Sequence, residues 1–177
     1  FLFVGAEEKG LLGSEYYAAN PLYPLALTAG VINTDSMGVH GRARNFSMSG
    51  SARFGLLDML IAEGARRGRS FTPDTNPGAG LFFRSDHFPF AQEGVPAISF
   101  RPGNDLVVGG TERGNALAAD YVAKRYHQPD DEWRPDFDYS GMVEDALMLH
   151  ALGQRLANSR DWPNWSEDSE FRAKRDQ

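Results

Sequence analysis

The stretch Phe1–Ser14, FLFVGAEEKGLLGS, decides how the rest of the chain is read. Apolar Phe1, Leu2, Phe3 and Val4 predict a buried strand. Small Gly5 and Ala6 follow, then adjacent Glu7 and Glu8, and a glycine-punctuated run leads into a helix predicted over Glu15–Asn20. Two neighbouring carboxylates at the C-terminal end of a buried strand are costly unless a positive group neutralises them. In an open α/β sheet that edge is also where ligands bind. One reading makes the pair a metal ligand and a general base. The other makes them solvated glutamates favoured by a helix dipole. The remainder of the chain chooses between them.

Downstream, Pro21 and Pro24 break the first helix. Ala26–Ile32 is a second apolar run, a predicted strand finishing at Asn33-Thr34-Asp35, again on a carboxylate. Phe46–Ser49 suits a short strand. Phe54–Arg67 has the spacing of an amphipathic helix, with Leu56, Leu57, Leu60, Ile61 and Ala65 on its apolar side. A Pro/Gly/Asn-rich loop, Thr72–Gly80, precedes RSDHFPF (84–90), a short helix and the predicted strand Pro96–Phe100. Gly103–Gly114 reads as a glycine-rich loop and Asn115–Arg125 as a helix. A last helix is expected over Gly141–Asn158, capped by Ser140, with Met142, Val143, Ala146, Leu149 and Leu152 on one side. From Asp161 onward the tail is polar and is expected to pack loosely over the surface.

Composition fits one globular domain, 1–177, with 41% hydrophobic and 24% charged residues. The net charge of −6 argues against nucleic-acid binding, which needs a basic face. No apolar run approaches the roughly 20 residues of a membrane span. With no Cys, disulfides and thiolate metal sites are excluded. A chain opening inside a predicted buried strand is expected to be part of a longer one.

Acidic or imidazole residues recur at the ends of predicted elements: Glu7/Glu8, Asp35, Asp86/His87, and His127 with Asp131. Oxygen and imidazole donors without thiolate suit zinc, with manganese or cobalt as alternatives. A metal-activated water beside a free carboxylate is a common arrangement for hydrolysis. His40 and His150 have no such setting and read as ordinary packing or surface residues. The G-x-S-x-G elbow and the phosphate-binding glycine motifs are absent.

Four segments, AEEKGLLGS (6–14), INTDSMG (32–38), RSDHFPFAQEGVPAISF (84–100) and YHQPDDEW (126–133), together resemble the co-catalytic di-zinc aminopeptidase family, a group that includes bacterial leucyl aminopeptidases, glutamate carboxypeptidase II and glutaminyl cyclases. The resemblance implies a three-layer α/β zinc-peptidase fold with a mixed, mostly parallel sheet between helices, incomplete at its N-terminus. It implies zinc-dependent removal of N-terminal residues from a peptide substrate. Glu7 matches the general base, Glu8 and His127 the ligands of one zinc, and Asp35 a ligand of the other. Tyr126 matches the hydroxyl that steadies the tetrahedral intermediate. Asp131 matches a carboxylate that orients His127, while Asp86 and His87 are expected either to line the site or to hydrogen-bond beneath it.

The family's upstream His-x-Asp segment, which supplies a further ligand and the aspartate bridging both metals, has no counterpart in these residues. The chain alone is therefore expected to hold zinc poorly and to lack activity, with the N-terminal part of the same protein as its partner. Two other readings are a non-catalytic binding or dimerisation module of the same fold, and a glutaminyl-cyclase-like acyltransferase. The resemblance also implies export, to the periplasm or outside the cell. Phe82, Phe83, Phe88 and Phe90 flank the RSDHF segment and offer either an apolar substrate pocket or core packing.

Overall fold

A computed structural model describes residues 1–177. Its sheet has four strands: β1 (Val31–Thr34), β2 (Asn45–Met48), β3 (Ser70–Phe71) and β4 (Ala97–Pro102), in the order β1-β4-β2-β3. β1 runs parallel to β4 and β2 parallel to β3, while β2 and β4 are antiparallel. The sheet is thus mixed and mostly parallel. Six helices accompany it: α1 (Leu12–Ala19), α2 (Gly55–Arg66), α3 (Phe88–Gln92), α4 (Gly110–Lys124), α5 (Ser140–Ala157) and α6 (Arg172–Arg175). α2 and α5 pack on each other and on β4, and α1 packs on α3, which also meets β4. The arrangement is consistent with a three-layer α/β peptidase fold. No helix is long and apolar enough to cross a membrane.

The expected strand over Phe1–Val4 does not form. The segment is irregular, with Phe1 and Phe3 exposed, because no backbone group of this stretch finds a partner in the sheet. The second expected strand begins late: Leu25–Leu27 closes a 3₁₀ turn after Pro24, and pairing with β4 starts at Val31. β3 is two residues long, too short to announce itself by alternation. At α5 the cap differs from expectation. Ser140 is already helical, and Asp138 accepts the Ser140 N–H at 2.9 Å. The buried side of α5 carries Asp145, Met148, Leu149 and Leu152, whereas Val143 is exposed.

The core gathers Phe46 and Met48 of β2, Leu56, Leu57 and Leu60 of α2, Ile98 and Phe100 of β4, and Met148 and Leu152 of α5. Two charged knots border it. Glu63 of α2 is buried and accepts from Arg67 at 3.0 Å and Arg155 of α5 at 3.1 Å. Burial would raise its pKa, but the two guanidinium groups outweigh that and hold it below the usual carboxylate range. Arg69 and Asp145, both buried, meet at 2.5 Å, and Arg69 also donates to the Asn45 carbonyl at 2.7 Å.

The tail is where expectation fails most. Trp165 is 1% exposed, donates its indole N–H to the Gly94 carbonyl at 2.9 Å, and stacks obliquely on Phe54 with centroids 4.6 Å apart. Polar composition hid this one anchoring side chain. Replacing a fully buried Trp by Ala typically costs about 3–5 kcal/mol. Trp165→Ala should therefore lower the urea midpoint substantially in equilibrium unfolding. A change within about 0.5 kcal/mol, as at an ordinary surface position, would restore the loosely packed tail.

Candidate active site

Glu7 and Glu8 lie in a 3₁₀ turn, Glu7–Lys9, entered through Ala6 at φ 59° and left through Gly10 at φ 94°. Leu11, at φ 61°, then turns the chain into α1. Ala6 and Leu11 adopt the left-handed conformation that side chains with a Cβ resist. The tightness has a visible cause. The Gly13 N–H reaches the Gly5 carbonyl at 3.0 Å, and a Cβ on Gly13 would stand 2.4 Å from that same oxygen. The glycines of this segment thus let α1 close against the turn that carries the carboxylates.

The remaining groups arrive from separate elements. Asp35 follows β1 directly, at the carboxyl end of a strand paired in parallel with β4. His127 follows α4 as a third left-handed non-glycine residue, φ 58°, with the Tyr126 ring stacked on its own at 3.9 Å. Its Nε2 stands 2.8 Å from Glu8 Oε1. Glu7 is half-buried, and its pKa lies above the ordinary carboxylate value. Burial is the main cause, followed by the carboxylates of Asp35, Glu8 and Asp86. Glu7, Glu8, Asp35, Asp86 and His127 therefore share one region of the sheet edge.

Two hydroxyls fix the acidic groups. Buried Ser14 donates to Asp86 Oδ1 at 2.7 Å, and buried Ser85, itself accepting from Asn33 at 2.9 Å, lies 3.3 Å from Asp35 Oδ2. Sequence reasoning passed over both serines, although each stands inside a motif it had marked. Asp131 accepts from the Tyr121 hydroxyl at 2.8 Å. Burial, then Asp131, pushes that phenol up to about 12, which keeps it a donor.

His87 is fully buried, edge-on to Phe82 with centroids 4.7 Å apart, so it lies beneath the site surface rather than lining it. Phe82 and Phe90 are core residues, and Phe83 and Phe88 meet each other edge to face. The rings of Phe82, Phe83 and Phe88 pack among themselves, Phe82 also meets Trp165 and Phe171, and Phe90 packs on Tyr17. His40 is half-buried and His150 exposed, neither in the acidic cluster.

Imidazole and carboxylates gathered at the carboxyl end of a strand in an α/β sheet are the donor types that a metal-dependent hydrolase uses. The particular family is equally plain: the chain belongs to Peptidase family M28, whose family model matches residues 1–150. That family consists of metallopeptidases, typically zinc-dependent. No curated protein and no solved structure matches the chain. The donors present fit zinc by type, and the carboxylate crowding around Glu7 is of the kind that a cation relieves. No three of these side chains converge closely enough to form a complete metal site by themselves.

Burial lowers the His87 imidazole from 6.5 to about 4, with the Phe82 backbone offsetting this slightly, and neither ring nitrogen reaches a well-aligned partner. The unfolded chain thus takes up a proton at His87 that the folded chain refuses. Stability contributed here is full above pH 6.5 and is lost as pH falls towards about 4. Urea unfolding at pH 7 and pH 4.5 should show a steeper acid loss in the wild type than in His87→Leu. Equal slopes would mean that His87 is hydrated or protonated in the folded state.

Proposed function

We propose that this chain carries the general base and part of the metal site of a zinc aminopeptidase that removes N-terminal residues from peptides. The observation that carries this is the arrangement around Glu7. Its carboxylate lies beside the Glu8–His127 pair, 2.8 Å apart, and is held above its ordinary pKa by burial and by Asp35, Glu8 and Asp86. A base with a raised pKa accepts a proton more readily near neutrality.

Glu8 and His127 are the donors we assign to one zinc and Asp35 to the other, in a pair held by the whole protein. When bound, zinc polarises the scissile carbonyl and acidifies the attacking water. Glu7 takes the proton from that water and returns it to the leaving amine. Tyr126, stacked on His127 beside the site, is assigned the hydroxyl that donates to the developing oxyanion. Ser85 and Ser14 keep Asp35 and Asp86 from rotating. A His-x-Asp segment, absent from these 177 residues, is assigned the remaining donors, so residues 1–177 alone should bind zinc weakly and turn over nothing.

The test is a side-by-side assay of the whole protein and of residues 1–177 on aminoacyl-nitroanilides and on N-terminal glutaminyl peptides, with added zinc. In the whole protein, Glu7→Gln should keep its zinc content while kcat falls about 10²–10⁴-fold. Loss of zinc with the base would make Glu7 a ligand. Cyclisation of the glutaminyl peptides in place of hydrolysis would make the protein an acyltransferase.

We also propose that the protein is exported, to the periplasm or outside the cell. The support is resemblance to exported relatives, with zero Cys compatible with it. Fractionation of the source cells should recover the protein outside the cytoplasm. Its retention there would overturn the proposal.

A further inference from the structure

Residues 108–137 form an arm whose two ends are held side by side. At one end Val107 donates its backbone N–H to the Arg42 carbonyl at 2.8 Å, and Arg44 donates to the Asp105 carbonyl at 2.8 Å. At the other, Asp138 donates to the Val39 carbonyl at 2.9 Å and accepts from the Gly41 N–H at 3.0 Å. One short stretch, 39–44, thus clamps both ends. Gly109 and Gly110 follow the first clamp at φ 94° and 64°, two successive left-handed residues of the kind that glycine adopts freely.

Between the clamps the arm is bonded almost wholly to itself. Asn104 donates to Asn115 at 2.7 Å, Arg113 to the Val108 carbonyl at 3.0 Å, Tyr121 to Asp131 at 2.8 Å, and Arg125 to Asp120 at 2.8 Å. Gly114 is the one buried residue of α4, although the helix runs for 15 residues. A single polar contact joins residues 108–137 to anything outside 104–137, and it is His127 Nε2 with Glu8 Oε1, at 2.8 Å. Through Gly114, Asn115 and Ala118, α4 nevertheless walls a polar cavity of about 460 Å³ that Asn45, Ser47 and Arg69 line from the body of the fold. A helix with so little buried surface gains little from packing where it lies.

We propose that residues 108–137 swing as one unit on the 39–44 clamp and are latched shut by the contact of His127 with Glu8. Closing brings Tyr126 and His127 to the carboxylates in one movement, since both follow directly on α4. Opening withdraws them and carries α4 away from the cavity, so a peptide enters while the arm is open and is cleaved only after it closes. The inference rests on the peptidase reading above for that last step and adds a conformational gate to it. Zinc held by Glu8 and His127 would strengthen the same latch.

Spin labels measure the swing directly. These 177 residues hold no Cys, so the whole protein in a Cys-free background takes labels at Ala119→Cys of α4 and Gln154→Cys of α5, both exposed positions. Pulsed electron resonance should give one narrow distance in the zinc-loaded protein. Removing zinc by chelation, and separately His127→Ala, should each replace it with a broad distribution. A control pair on α2 and α5, Asp58→Cys with Gln154→Cys, should stay narrow throughout. Narrow distances for the α4 pair under all three conditions would overturn the arm, and so would broadening of both pairs together, which is general loosening. Broadening on chelation alone would move the latch away from His127 and overturn its assignment. Broadening in His127→Ala alone would retain the latch and remove zinc from it. A whole protein that retains no zinc would remove the peptidase reading. The comparison of wild type with His127→Ala would still decide the latch, because the contact with Glu8 forms between the two side chains themselves.

Discussion

Four carboxylates, Glu7, Glu8, Asp35 and Asp86, sit close enough around one sheet edge for three of them to raise the pKa of the fourth. Like charges so gathered repel by an amount that water only partly screens near a protein surface. A fold tolerates such crowding where a cation offsets it, and the His127 imidazole touches the cluster through Glu8. The repulsion is of the kind that a bound cation relieves, in keeping with a family of metallopeptidases. Glu7, the less exposed of the pair in its turn, is the member whose pKa is raised.

Holding that arrangement falls to groups that do no chemistry. The parallel pairing of β1 with β4 brings Asp35 to the edge, and buried Ser14 and Ser85 pin Asp86 and Asp35 in place. Each hydroxyl is itself fixed: Ser14 is buried at the start of α1, and Ser85 accepts from Asn33 of β1. Further from the site, the Glu63–Arg67–Arg155 knot ties α2 to α5, and the Arg69–Asp145 pair ties α5 to the entrance of β3. Buried ionic groups of this kind add little net stability compared with apolar packing, yet removing one partner strands the other. They restrict which packings are possible.

The parts of the fold that were legible in the sequence are those with long, regular patterns. Leu56, Leu57 and Leu60 announced α2, and the apolar run ending at Phe100 announced β4 to within two residues. Family α/β architecture followed from motif order. What failed was what depends on distant partners. Phe1–Val4 has strand composition but no strand beside it, and Trp165 looked like tail until Gly94, Phe54 and Phe82 were brought to it. His87 carried the same ambiguity. Only tertiary packing reveals that an aromatic floor closes over it. Ser14 and Ser85 were invisible for a related reason, since a hydroxyl acquires meaning from what it reaches.

Backbone strain completes the picture. The non-glycine residues with left-handed φ are Ala6, Leu11 and His127, and all three border the acidic cluster. Each such conformation costs on the order of 1–3 kcal/mol and persists only where its surroundings over-determine it. Here the surroundings are identifiable: the Gly13–Gly5 contact closes the Glu7–Glu8 turn, and stacking on Tyr126 together with the Glu8 contact fixes His127. The Phe82–Trp165–Phe171 aromatic cluster, by contrast, contains no such residue. Strain and stability are thus separated in space, with the relaxed aromatic core and its ionic knots offsetting what the turn around Glu7 and Glu8 costs. A substitution that relieved Ala6 or Leu11 would be favourable for folding and unfavourable for the placement of Glu7, because the same dihedral angles that cost energy are the ones that aim its carboxylate.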